Sequence, residues 1–286
     1  SDSSYEVIKC LKDVAEKSGV KVFTNSHVKQ INKTNEGFNV FVKGSNYFKT
    51  KNILVCTGGH PSGRKLAKSL GHSIVQPVPS LFALSTSEKS LVPCSGITLN
   101  VQAKLTVSKK KFTENGPILI THKGFSGPVI LRLSAFSARD LHDNKYIGEL
   151  RINWLCMSEN EVRSKIDLYK IKNGKKLVLN NKPFNQLPRS LWKSLLLGEN
   201  IHSQLKWCEL SKHEKESIVK TLILKSYEIN SRGPFGEEFV TAGGVSLKEI
   251  NFKNMESKIC KGLFFAGEVL NIDGITGGFN FQHCWT

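Results

Sequence analysis

The residues best suited to chemistry lie in the last stretch of the chain, GLFFAGEVLNIDGITGGFNFQHCWT, residues 262–286. It opens with Leu263-Phe264-Phe265-Ala266, an apolar run with the length and aromatic content of a buried strand, and that run stops at Gly267-Glu268. A carboxylate therefore sits at the carboxyl end of a strand. Thr276, Gly277 and Gly278 then lead into Phe279, Asn280, Phe281 and Gln282, which read as the first turn of a helix. Glycines at a helix start let backbone N–H groups approach a ligand closely, and the helix dipole favours an anion such as a pyrophosphate there. The spacing sets a carboxylate beside an anion cradle. A glycine-rich turn with a solvated Glu268 is the plainer account, but the clustering of glycines, Glu268, Asn280 and Gln282 favours binding.

A second strand end has the same character. Residues 51–56, KNILVC, form an apolar run that delivers Thr57-Gly58-Gly59. A third glycine pair, Gly243-Gly244, permits a tight turn or a close backbone approach.

Residues 4–18 place Val7, Leu11, Val14 and Ala15 on one helical face, with Gly19 as the stop. Residues 20–23, VKVF, and 28–32 read as strands. Phe38, Val40 and Val42 alternate before a Gly44-Ser45-Asn46 turn, and residues 47–51 return as a hairpin or small meander. Pro77 and Pro79 mark a boundary, because two prolines so close suit neither a helix nor a central strand.

From 81 to 155 the chain is strand-rich and reads as an antiparallel β unit. Within it, Ile120 to Pro128 ends in Ser126, a candidate helix N-cap, with Pro128 in the first helical turn. That helix start could hold an anion, although capping alone explains both residues. His122 is a proton donor, a phosphate contact or a structural imidazole. Residues 158–225 read as mostly helical, with capping-box spacing at Ser158/Glu161 and Ser211/Glu214 and a further helix at 188–197. Residues 231–236 then return the chain to a β-rich segment.

Composition adds the charge. The chain has 41 basic and 24 acidic residues, net +17. The excess is local: residues 81–235 carry 25 basic against 13 acidic side chains, whereas 236–286 carry 4 against 6. A lysine-rich solvated surface and a footprint for a polyanion, nucleic acid above all, both account for it. The cysteines number seven, an odd count without CxxC spacing, which argues for free thiols in a reducing, cytoplasmic setting. No histidine pair has metal-ligand spacing, so no metal is expected. No apolar run approaches the ~20 residues of a membrane span.

Three stretches carry a family resemblance: AGEVLNIDGITGGFNFQ, THKGFSGPVILRLS, and VTAGGV followed by MESK. Together they resemble the HI0933-like family of FAD-dependent oxidoreductases, also called YhiN-like or BaiN-like, and the likeness covers essentially the whole chain. It implies an α/β fold: a split FAD/NAD(P)-binding Rossmann-like domain with an inserted β-rich plus helical domain. The FAD-binding parts would be 1–79 and 236–286; the insert would be 80–235, with a β unit at about 80–157 and a helical unit at about 158–230.

The resemblance also implies roles. Thr57, Gly58 and Gly59 would lie by the adenosine and pyrophosphate side of FAD, and Gly243-Gly244 would approach the flavin ring. Gly267, Glu268, Thr276, Gly277, Gly278, Phe279 and Asn280 would hold ribityl, pyrophosphate and ring, Glu268 accepting from a ribityl or ribose hydroxyl. His122 is the one catalytic candidate. NAD(P)H would supply electrons, for reduction of a carbon–carbon double bond in a small molecule or of uridine to dihydrouridine in ribosomal RNA; the basic insert favours RNA. The contrasting reading is a non-catalytic basic RNA-binding or scaffold protein that keeps the flavoprotein fold. Asn254 stands where relatives carry Thr, Asn271 where they commonly carry Asp, and the loop after Gly59 is short. The family's GxGxxG fingerprint is not among these residues, so the chain is expected to be a fragment that binds FAD weakly or not at all by itself.

Overall fold

In the computed structural model, which describes residues 3–44, 47–199, 201–233 and 240–285, the first amphipathic stretch forms α1 (Ser4–Lys17). Gly19, at φ 77°, follows its end. Among the described residues its apolar face is left largely uncovered: Val7, Leu11 and Val14 are exposed and no residue of α1 is buried. Residues 20–23, expected as a strand, have no ladder, and Val22 and Phe23 are exposed. Strand propensity alone cannot satisfy backbone N–H and C=O groups; a strand needs a neighbour, and among the described residues none is offered. Ser45-Asn46 of the expected turn, and the expected break and boundary at 234–236, lie outside the described residues.

The chain continues through β1 (Val28–Thr34), β2 (Gly37–Val42), β3 (Tyr47–Thr50), β4 (Ile53–Val55), α2 (Pro61–Ser69) and β5 (Ile74–Ser80). Next come β6 (Leu84–Thr86), β7 (Thr98–Val107), β8 (Lys110–Thr121), β9 (Gly124–Ser126), α3 (Pro128–Phe136), α4 (Ala138–Asp143) and β10 (Gly148–Asn153). A helical stretch follows, α5 (Glu159–Asn173), α6 (Arg189–Leu197) and α7 (Lys212–Ile223). The last elements are β11 (Lys225–Arg232), β12 (Val240–Val245), β13 (Ile250–Asn251), β14 (Glu256–Ser257), β15 (Leu263–Phe265) and α8 (Gly277–Trp285).

Strands β1, β2 and β3 form the expected antiparallel meander. Six strands close a barrel in the order β10-β11-β6-β9-β8-β7. Period-two alternation explains its interior: Val101, Ala103, Leu105 and Val107 of β7 are fully buried while the residues between them face outward. Closure depends on β11, which returns after α7 with Tyr227 and Ile229 turned inward and pairs with both β10 and β6. The capping boxes form as the spacing suggests. Ser158 Oγ accepts the Glu161 N–H at 3.4 Å, and Ser211 Oγ accepts that of Glu214 at 3.2 Å. At α3 the N-cap is Gly127 instead of Ser126, at φ 88°, because a Cβ there would stand 2.8 Å from Leu119 N.

Two apolar clusters result. One runs from Phe82 to Ile229 and joins the barrel interior to α3, α5, α6 and α7. The other combines Ile31, Phe38, Val55 and Ala67 with Val245, Ile250, Leu263, Phe265 and Leu270, residues from the two ends of the chain. Strands β5 and β12 form an antiparallel ribbon, and Ala138 of α4 packs on its Val78 and Ala242 as a third, small cluster. Pro77 and Pro79 lie within β5, against the expectation of a break. A two-stranded ribbon leaves one strand edge unpaired, so a missing N–H is tolerated there.

A buried polar network locks the second cluster. His72 Nδ1 lies 2.9 Å from Glu249 Oε2, and Nε2 lies 2.9 Å from Ser257 Oγ. A carboxylate only accepts, so Nδ1 carries the proton and Nε2 accepts from the Ser257 hydroxyl. The Ser257 lone pairs are taken by the N–H groups of Ile259 at 3.1 Å and Cys260 at 2.8 Å. The Ser-His-Glu array is therefore a clamp and no nucleophile. Burial pushes His72 below the ordinary imidazole value of 6.5, outweighing Glu249. The unfolded chain thus takes up this proton first: stability is present above pH ~6.5 and is lost as pH falls towards the depressed folded-state value. Denaturant midpoints measured from about pH 7.5 to 5.5 are expected to fall, with a shallower slope in His72→Gln.

Candidate functional site

Parallel pairing brings two glycine-bearing strand ends together. Strand β15 lies beside β4 in the register Ile53↔Leu263, Leu54↔Phe264 and Val55↔Phe265. Both carboxyl ends therefore point the same way, so Thr57-Gly58-Gly59 and Gly267-Glu268 emerge at one edge of the sheet.

Glu268 ties them. Its Oε2 accepts the Gly59 N–H at 3.1 Å, and its Oε1 accepts the Thr241 N–H of β12 at 2.6 Å. One half-buried carboxylate thereby holds three segments that are far apart in sequence. Each oxygen keeps a second lone-pair position, open to a hydroxyl donor. Gly59 has no room for a side chain: a Cβ would stand 2.9 Å from Thr241 Oγ1 and 3.2 Å from Glu268 Oε2. Gly58, at φ 59°, and Gly267, at φ 73°, turn the chain in the left-handed region.

The short loop after Gly59 is the start of α2. His60 is its N-cap, Nδ1 accepting the Ser62 N–H at 3.2 Å, and Arg64 Nη1 donates to the Gly59 carbonyl at 2.6 Å. Gly63 packs against Thr57, where a Cβ would overlap the Thr57 side chain. The helix thus braces the Thr57-Gly59 loop from behind.

On the other side, α8 starts as the sequence suggests. Thr276 Oγ1 accepts the Phe279 N–H at 3.3 Å. Asn280 closes the preceding loop: its Oδ1 accepts the Gly274 N–H at 2.9 Å, and its Nδ2 donates to the carbonyls of Gly274 at 3.0 Å and Thr276 at 2.9 Å. Asn280 thus shapes the backbone of the cradle, and its amide hydrogens are spent there. The helix start is open: among the described residues no atom beyond its own turn lies within 4 Å of a Cβ built on Gly277, and no acidic side chain occupies the first turn. Phe279 is exposed. Toward the end of α8, Cys284 Sγ lies 3.3 Å from a Cβ built on Gly267, so the helix packs over the Glu268 turn.

Gly243 and Gly244 lie inside β12, at φ 115° and 138°, and not at a hairpin turn. A Cβ on Gly243 would strike the β5 backbone at Pro77, and one on Gly244 would strike Val269 and Leu270. They let β12 pass between β5 and the Glu268 turn. His122 is exposed in the turn joining β8 to β9, and among the described residues no hydrogen bond or ion pair links it to the Glu268 loops. Residues that the sequence did not single out also join the site: Thr241 and Arg64, and Arg139 of α4. Arg139 donates from Nη1 to the Gln76 carbonyl at 3.1 Å and from Nη2 to Asn271 Oδ1 at 3.3 Å. Thr241 and Arg139 act on partners distant in sequence, which no local pattern marks.

Glu268→Gln would turn one acceptor into an N–H donor facing a backbone N–H; a loss of about 2 kcal/mol is expected in denaturant unfolding. Gly63→Ala should cost about 1–3 kcal/mol despite the better helix propensity of Ala, and Thr57→Ala in the same chain should recover part of it.

The family described as HI0933-like protein Rossmann domain matches residues 1–286. A protein named ribosomal RNA dihydrouridine synthase, from Haemophilus influenzae, is 28% identical over 298 residues, covering 100% of this chain and 71% of that protein. The Escherichia coli protein of the same name is 27% identical over 300 residues, covering 100% of this chain and 70% of its own length. A 3-dehydro-bile acid delta(4,6)-reductase from Clostridium scindens is 25% identical over 302 residues, covering 100% of this chain and 71% of the reductase. With its mixed α/β content and parallel strand pair, the chain belongs to the HI0933-like family of Rossmann-domain proteins.

Proposed function

We propose that this chain belongs to an FAD-dependent oxidoreductase that reduces a carbon–carbon double bond with electrons from NAD(P)H. The single observation that carries the reading is the convergence at Glu268: two parallel strand ends and one carboxylate meet at one edge of the sheet, with the end of α8 packed over the Glu268 turn. The donor set fits such a cofactor. Backbone N–H groups at Gly277 and Gly278 precede the helical ladder and suit an anion. The free lone pairs of Glu268 suit a ribityl or ribose hydroxyl. A cavity of about 530 Å³ that reaches Gly267 is lined also by Leu54, Met255, Phe265 and Cys284 and offers an apolar wall for a ring.

Residues 57–59, 267–268 and 276–280 would hold the cofactor, with Gly243-Gly244 fixing the ribbon behind them. When bound, FAD would supply the two-electron chemistry, and the protein would orient it and exclude water. The two apolar clusters support a division into an FAD-binding part, 1–79 with 236–286, and an insert at 80–235 that covers the site. For substrate, the relatives' names describe either a ribosomal RNA uridine or a bile acid. The basic excess of residues 81–235 favours a polyanion, hence RNA.

Protein expressed from its complete reading frame is expected to copurify with FAD and to bleach on addition of NADH or NADPH. Affinity for a uridine-containing RNA should fall steeply as salt is raised. Protein free of flavin that still binds RNA would overturn the enzyme reading in favour of a non-catalytic RNA-binding protein.

A further inference from the structure

The outer wall of the barrel carries a polar groove. Across β8, β7 and β10 the ladder sets Asn115, Gln102 and Asn153 side by side on the outward face. This row lines a cavity of about 510 Å³, within the ~300–1,000 Å³ of small-molecule sites. Met157, in the turn after β10, and Leu224, at the end of α7, add an apolar wall. Asn153 shapes that turn: its Nδ2 donates to the Met157 carbonyl at 2.8 Å, and its Oδ1 accepts the N–H groups of Leu155 at 3.1 Å and Met157 at 3.4 Å. Gln102 and Asn115 differ, because both are exposed and, among the described residues, neither side-chain amide has a hydrogen-bond partner. Two donor-and-acceptor amides therefore stand together in one concave site.

The next outward row along the same strands is Thr113, Lys104, Arg151 and Ser226. Here two cations, Lys104 and Arg151, stand directly opposite each other, an arrangement that destabilises a ladder. Arg151 is compensated: its Nη2 donates to Glu149 Oε1 at 3.1 Å and its Nε to Ser226 Oγ at 3.3 Å. Lys104 feels the Glu149 carboxylate but makes no hydrogen bond or ion pair among the described residues. An anion at this row would relieve the repulsion. The carboxylate that lines the cavity, Glu159, is held by Arg163 Nη2 at 2.6 Å.

We propose that this groove binds one unstacked nucleotide of single-stranded RNA, the base lying against Met157 and Leu224 and read by Gln102 and Asn115, its phosphate meeting Lys104. An amide carries a donor beside an acceptor, which complements the adenine edge with its amino group and ring nitrogen. Single strands offer that edge, whereas the deep major groove of an RNA duplex withholds it. The inference rests on the RNA reading above and is independent of the flavin. It assigns the groove to holding RNA and gives it no step of chemistry.

The test uses protein made from the complete reading frame and three probes: a short oligoadenylate, the matching chain of abasic ribose phosphates, and adenosine monophosphate. The parent is expected to bind oligoadenylate at least ~10-fold more tightly than the abasic chain. Gln102→Ala with Asn115→Ala should lose ~10–100-fold of the oligoadenylate affinity and keep that for the abasic chain. Lys104→Ala should weaken both chains alike and lower the salt slope by about one. Cys156 lines the same cavity and is exposed, which gives a readout in the unaltered parent. Oligoadenylate should slow its alkylation by N-ethylmaleimide while the exposed Cys208 reacts as before. Equal affinity for the two chains, a double variant within about twofold of the parent, or an unprotected Cys156 overturns the proposal and leaves the RNA reading intact. Adenosine monophosphate binding as tightly as the oligomer also overturns it, since the occupant is then a free nucleotide. A parent that binds neither chain overturns both readings.

Discussion

The arrangement of this molecule depends on a single carboxylate accepting two peptide N–H groups. Glu268 is carried at the end of β15, Gly59 follows β4, and Thr241 belongs to β12, the strand that returns from the barrel. Removing a carboxylate from water is costly, and two charge-assisted hydrogen bonds offset that cost only while both donors stay in place. The same contact thereby couples the sheet edge to the ribbon. Any displacement of one segment leaves a half-buried charge without its partner, so the three move together or not at all.

Glycine is the condition for that contact. At Gly59 a side chain would occupy the position of Thr241 and Glu268; at Gly63 it would displace Thr57; at Gly243 and Gly244 it would drive β12 away from β5 and from the Glu268 turn. The site is consequently a meeting of backbones, with peptide donors and acceptors forming much of its surface. Such a surface suits ligands recognised by phosphate and hydroxyl groups better than ligands recognised by side-chain charge. The +17 charge belongs mostly to the barrel and helices, so the two halves of the molecule present different chemistry.

Much of the local structure was legible. Phe38, Val40 and Val42 announced the meander, Ser158/Glu161 and Ser211/Glu214 announced their helices, and both glycine-bearing strand ends were readable as strands that deliver a turn. The errors share a cause. Residues 20–23 have the composition of a strand but no neighbour among the described residues to pair with. Pro77 and Pro79 sit inside a strand because β5 belongs to a ribbon and not to a wide sheet. Ser126 has the right chemistry for a cap, but the tight approach of Gly127 to Leu119 moves the helix start by one residue.

By itself the sequence determined most of the strands and helices, the capping boxes at Ser158 and Ser211, and where glycine permits a sharp turn. Those properties follow from periodicity and backbone sterics, which act over a few residues. Only the tertiary structure decided that β11 closes the barrel, that Glu268 reaches Gly59 and Thr241, and that Arg139 reaches Gln76 and Asn271. Those pairings join residues from different elements, and the free energy that selects them comes from burying two shared apolar clusters, a quantity that no local window contains.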